Sequence, residues 1–73
     1  MILSIITPQG VSFEGEVKRF QFPSAKGLME FLPGHAPMIA EVKRGRIVTD
    51  TQEMECGDGV VRIKDDKIVV VCE

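Results

Sequence analysis

Five consecutive residues near the middle of the chain, Pro33-Gly34-His35-Ala36-Pro37, exclude regular structure where they stand. Proline lacks the N–H that a helix or a sheet ladder needs, and it fixes φ. Gly34 directly after Pro33 fits the third position of a type II turn, which requires positive φ. Pro37 pushes Ala36 out of the helical region. The segment is therefore a rigid, irregular connector. Further breakers punctuate the rest of the chain. Thr7-Pro8-Gln9-Gly10 has proline second and glycine fourth, as in a type I turn. Pro23 to Gly27 reads as a loop, Arg44-Gly45 as an interruption, and Gly57-Asp58-Gly59 as a turn. Asp65-Asp66 reads as a two-residue hairpin. Between these signals no stretch carries helical periodicity over a useful length.

What remains between the breakers alternates in the manner of strands. Met1 to Ile6 is apolar apart from Ser4. Val11-Ser12-Phe13-Glu14 alternates, which puts Val11 and Phe13 on one face, and Gly15 after it marks a bulge or kink. Val17 to Phe22 reads as one strand, with Phe20 and Phe22 on one side and Val17 and Arg19 on the other. Leu28 to Leu32 leads into the proline segment, and Met38 to Val42 leaves it. The chain resumes from Arg46 to Thr51 with Ile47, Thr49 and Thr51 on one face. Glu53 to Cys56 turns Met54 and Cys56 inward, and Val60 to Lys64 and Lys67 to Cys72 flank the hairpin. The pattern predicts one all-β domain, a sandwich or barrel of about eight to ten short, mostly antiparallel strands.

At 73 residues the chain buries a modest core, which points to a larger partner as a source of stability. The net charge of −2, with both signs interspersed, excludes the basic face of a nucleic-acid binder. Lys43-Arg44-Gly45-Arg46 reads as a solvated turn, and four phenylalanines without Trp or Tyr leave little for base stacking. No signal peptide or transmembrane run is present, and the expectation is a soluble, cytoplasmic domain. The two cysteines, Cys56 and Cys72, form no C-x-x-C and no metal-ligand cluster, and they read as buried or half-buried thiols of a reducing compartment.

Nothing in the chain assembles into catalytic machinery. His35 is the single histidine, and Ser4, Ser12 and Ser24 lie outside any nucleophile elbow. Asp65-Asp66 at a hairpin tip reads as solvated, and Gly57-Asp58-Gly59 is too short for a phosphate loop. No cofactor and no metal is called for. Two roles stand open for His35: ordering its own loop through a backbone hydrogen bond, or facing a protein partner. Two alternative functions also stand open. One is a lipoyl- or biotinyl-type carrier domain with Lys67 near a hairpin tip; the other is a generic β-sandwich adaptor.

Gly27 through Pro37, centred on Leu32-Pro33-Gly34-His35-Ala36-Pro37, resembles the signature of the epsilon subunit of rotary proton-translocating ATP synthases, called delta in mitochondria. Thr7-Pro8-Gln9-Gly10 is similar to the family's T-P-x-G turn, and Phe13-Glu14-Gly15-Glu16-Val17 to its F-x-G-x-V. Arg44-Gly45 falls where the family often has a glycine before its next strand. Gly57 to Ile63 and Lys67 to Val71 resemble its G-G-hydrophobic and K-V-T-V-L stretches. The resemblance covers nearly the whole chain. It implies a flattened β-sandwich over 1–73 and a noncatalytic rotor subunit that binds the gamma stalk and the c-ring and couples proton flow to ATP synthesis. It implies a position at the cytoplasmic face of the bacterial inner membrane, peripheral and without direct insertion. By family position Thr7, His35 and Ala40 lie toward gamma, and Lys26, Leu28 and Glu30 lie on the loop toward the ring. The family usually continues into a C-terminal pair of helices, which regulate some members. This sequence ends at Glu73, so the expectation is the sandwich without the helical hairpin. It also departs from the family at Leu28-Met29-Glu30, where E-x-G is common.

Overall fold

The chain changes sheets four times, and those crossings shape the fold. A computed structural model describes all residues, 1–73. Nine strands follow in order: β1 (Ile2–Thr7), β2 (Gly10–Glu16), β3 (Phe20–Ser24), β4 (Gly27–Phe31), β5 (Met38–Val42), β6 (Gly45–Thr49), β7 (Glu53–Cys56), β8 (Gly59–Lys64) and β9 (Lys67–Cys72). One sheet has the order β2-β1-β9-β8-β5 and the other β4-β3-β6-β7. All pairings are antiparallel except β1 with β9, which run parallel and bring the first and last strands together. This is the all-β sandwich that the alternation predicts. The two sheets enclose one core in which Phe20, Phe22, Phe31, Val42, Ile47, Val61 and Ile63 are fully buried. The three phenylalanine rings meet at centroid distances of 5.2–6.0 Å, within the favourable range for tilted and edge-on aromatic pairs.

Several local expectations are corrected. The β1–β2 register shifts between Ile5 and Ile6, so that Ile5 opposes Phe13 and Ile6 opposes Val11, with Ser12 as the extra residue. The bulge therefore falls at Ser12, and Gly15 pairs regularly with Leu3. One extra residue reverses the parity of a strand. Val11 is exposed while Phe13 packs on the core, instead of the two sharing a face. Val17 is buried on the same side as the phenylalanines because Lys18 and Arg19 leave the strand and reset the alternation. β5 and β6 lie in different sheets, so Arg44-Gly45 is a crossing and not a break within one strand. Thr51 leaves β6 and is exposed in the turn. Thr49 is buried because its hydroxyl donates to Gln52 O and accepts from the amides of Thr51 and Gln52.

At each crossing the backbone leaves its ladder and needs new partners. Aspartate side chains supply them. The Lys18 amide between β2 and β3 donates to Asp50 Oδ1 (2.8 Å). The Gly34 amide between β4 and β5 donates to Asp66 Oδ1 (2.8 Å). The Arg44 amide between β5 and β6 donates to Asp58 Oδ1 (2.8 Å). Asp58 itself lies on the fourth crossing, between β7 and β8, and its carbonyl accepts from the Glu73 amide (3.1 Å).

Candidate docking surface

The connector 32–37 has the predicted turn. The His35 amide donates to Leu32 O (3.1 Å), and Gly34 holds φ at 86°, as the third residue of a type II turn must. The Asp66 carboxylate holds the same turn from the β8–β9 hairpin. Asp66 is thus half-buried and engaged, and the expectation of a solvated Asp65-Asp66 pair fails for it. The hairpin itself is as predicted: Asp65 and Asp66 have φ of 52° and 58°, the left-handed pair of a type I′ turn.

His35 sits on Phe31 with a ring-centroid distance of 4.7 Å. Its Nδ1 lies 2.7 Å from Ala36 O. A carbonyl only accepts, so Nδ1 carries the proton and donates. The first role considered for His35, ordering its own loop, is what the geometry displays. Nε2 bonds nothing within the chain, and since no buried side-chain nitrogen or oxygen lacks a partner, it reaches solvent.

The outer faces of both sheets mix apolar and charged residues, and one apolar stretch is continuous. Register pairs Val11 with Ile6, Ile6 with Val71, and Val71 with Val60. These four residues form an apolar row across the first sheet, with Val11, Val71 and Val60 exposed at 63%, 54% and 50%. On β5 the row ends at Glu41, the register partner of Val60, and Ile39, 69% exposed, stands two residues along that strand opposite Arg62. Ion pairs stand on both sheets: Glu41–Lys43 (3.3 Å) at the β5 edge of the first, and Arg19–Glu30 (3.2 Å) and Arg46–Glu53 (3.1 Å) on the second. A small domain ordinarily shows charge on both faces, and a contiguous apolar row marks an interaction surface.

The residues assigned by resemblance divide by sheet. Ala40 on β5 and His35 on the connector into it share one edge of the first sheet, while Thr7 ends β1 three strands away. Asp66, which holds the His35 loop, precedes β9 and accepts from the Ile2 amide, so Thr7 lies at the far end of β1 from that loop. The Thr7 hydroxyl is engaged in its own turn, donating to Gly10 O and accepting from the Gln9 amide. Ala40 pairs with Val61 and packs on the core. Lys26 occupies the β3–β4 turn, whereas Leu28 and Glu30 stand on strand β4 and not on a loop. Glu30 pairs with Gln21 in ordinary strand conformation, so the family's glycine is not required there. Leu28 is 69% exposed. A cleft of about 310 Å³ between β4 and β5 is lined by Lys26 and Met29 on one side and Met38 and Ala40 on the other. It brings one residue of each set together. Lys67, the carrier-domain candidate, is paired with Lys64 and Ile2 in the β9 ladder and does not sit at the hairpin apex.

Sequence reasoning missed the aspartates that hold the crossings. The available signal was their position: Asp avoids strands and accepts from backbone amides in turns, but the distant partner is set by tertiary structure.

The molecule is an all-β sandwich of two sheets with an exposed apolar row across the outer face of the first. The model of the family described as the ATP synthase delta/epsilon chain, beta-sandwich domain, matches residues 1–73, and the chain belongs to that family. It is 32% identical over 76 aligned positions to an ATP synthase epsilon chain of Chlorobaculum tepidum, covering 97% of this chain and 86% of that one. A Nitratiruptor epsilon chain is 38% identical over 68 positions, covering 93% of this chain and 46% of the relative. Among solved structures, a chain in the central stalk and c-ring of the Tetrahymena thermophila mitochondrial ATP synthase superposes with a TM-score of 0.81 at 12% identity, covering 99% of this chain and 62% of that one. The sandwich thus corresponds to nearly all of some relatives and about half of others. The structure contains no helix long and apolar enough to cross a membrane.

Proposed function

We propose that this domain is a noncatalytic rotor component of an ATP synthase, seated between the gamma stalk and the c-ring, where it helps couple proton translocation to ATP synthesis. The observation that carries the reading is the exposed apolar row Val11-Ile6-Val71-Val60 across the first sheet. In a chain of this family, that row gives the domain a surface to bury against a partner. The gamma stalk takes the first sheet, with Thr7 and His35 at its two ends and Ala40 on its β5 edge strand. The ring takes the β3–β4 hairpin, with Lys26, Leu28 and Glu30. His35 offers its solvent-facing Nε2 from a loop that Asp66 already holds, so little order is lost on binding. The domain is peripheral to the membrane through these contacts. Mixing it with the gamma subunit of the same organism tests the reading: a stoichiometric complex at micromolar concentration is the expected result, and absence of binding contradicts it.

A further inference from the structure

Cys56 and Cys72 are both free and both buried, at 6% and 5% exposure. They approach from different sheets, Cys56 ending β7 and Cys72 ending β9, and they belong to the same core cluster. The sheets close on each other at this corner, because only Gly57 and Asp58 separate β7 from β8. Glycine is needed there for space. A Cβ on Gly57 would lie 2.4 Å from Glu73 O, and a Cβ on Gly59 would lie 2.7 Å from the Cβ of Cys72. The residue after Cys56 therefore touches the residue after Cys72, and Gly59 is the register partner of Cys72. The Cys72 thiol is thereby a side-chain hydrogen-bond neighbour of the Cys56 thiol, the kind of proximity from which a disulfide forms.

We propose that Cys56 and Cys72 are an oxidisable pair, a modification site at which one intramolecular disulfide bolts the two sheets together without unfolding the domain. The oxidant is a low-molecular-weight disulfide such as oxidised glutathione. One thiol loses its proton and attacks the oxidant's S–S bond, releasing one small thiolate and forming a mixed disulfide. The second protein thiolate attacks that bond and releases the second small thiolate. Two protein S–H bonds and one S–S bond are broken, and one protein S–S bond forms. The two electrons leave on the oxidant, which ends as two small thiols.

Cys56 is the entry point. An open cleft lined by Arg44, Glu55, Cys56, Gly57 and Glu73 leads to it. The charged groups around it are Arg44 from the β5–β6 crossing, Glu55 from β7, Asp58 from the next crossing and Glu73 beyond β9. Burial and the neighbouring Cys72 thiol push the Cys56 thiol up to about 12. Only a small thiolate fraction exists at neutral pH, so oxidation is slow and selective, unlike that of an exposed redox sensor.

The test is to incubate the folded domain, without denaturant, with oxidised glutathione at pH 8.5, then denature it and add an alkylating reagent. The expected product is a monomer lighter by about 2 Da that takes up no alkyl group. Its melting temperature is higher by about 20 °C, as for a cross-link closing a loop of about 16 residues in a domain this small. Dithiothreitol reverses both changes, and Cys72→Ala abolishes them. Two alkylated thiols, two bound glutathiones, a disulfide-linked dimer, or a monomeric disulfide with a lowered melting temperature would each overturn the proposal.

Discussion

Asp66 holds Gly34. The carboxylate at the tip of the β8–β9 hairpin accepts the Gly34 amide at 2.8 Å, across 32 residues of sequence. That single bond fixes the loop presenting His35 to the edge of the sheet carrying the apolar row. Under the proposed function the hairpin is therefore a support for the docking surface, holding a loop it does not itself belong to.

Removing the acceptor should loosen that loop. Asp66→Ala loses a hydrogen bond to a charged group and places alanine at φ 58°, for a combined loss of about 1–2 kcal/mol. Asp66→Asn keeps a carbonyl oxygen and a residue tolerant of left-handed backbone, and it should stay within about 0.5 kcal/mol of the parent. Urea denaturation of both variants measures the difference. Equal losses would show that the Oδ1 contact contributes little.

Gly34→Ala isolates the backbone term. A Cβ at this position meets nothing within 4 Å, so space is not limiting. The φ of 86° alone makes the substitution unfavourable, by about 1–2 kcal/mol. The urea midpoint should fall while the slope stays constant. An unchanged midpoint would mean that the turn relaxes freely.

The pH dependence of stability has two separable limbs. The Lys18 amide, bonded to Asp50, holds the Asp50 carboxyl below its ordinary 3.8. A lowered folded value means that the stabilisation is present above pH 3.8 and is lost as pH falls through the folded value. Asp50→Asn should flatten this acid limb. At the other end, burial raises Cys56 from 9.0 to about 12. The folded state then favours the neutral thiol, and stability is full below pH 9.0 and declines as pH rises toward about 12. Cys56→Ala should flatten the alkaline limb. Melting temperatures from pH 2 to pH 5 and from pH 8 to pH 11 check both. Parallel curves for parent and variant on either limb would remove that group from the account.

Much of this arrangement is legible in the sequence because its causes are local. β5 and β7 have the predicted limits, the Pro33-Gly34 turn has the predicted type, and Asp65-Asp66 closes the predicted hairpin. What escapes the sequence depends on contacts between distant segments. The bulge at Ser12 arises from how β2 meets β1 and reverses the side on which Val11 emerges. The parallel pairing of β1 with β9 joins the first and last strands of the chain inside one sheet, and no local pattern encodes it. The candidate site divides the same way. His35 stands out as the one histidine in a rigid loop, whereas the apolar row exists only once four residues from β2, β1, β9 and β8 are aligned by register.

The apolar row across the first sheet is the centre of the account, and affinity for the gamma subunit measures it. Val60→Glu combined with Val71→Glu places two charges in the middle of the apolar row, at positions already half exposed in the free domain. Glu55→Lys, on the second sheet, serves as the comparison. The account predicts that the double variant melts within about 3 °C of the parent and binds gamma at least about 100-fold more weakly, since charges buried without partners are costly at the centre of an interface. It predicts that Glu55→Lys binds within about threefold of the parent. Undiminished binding by the double variant, or a loss confined to Glu55→Lys, would contradict it.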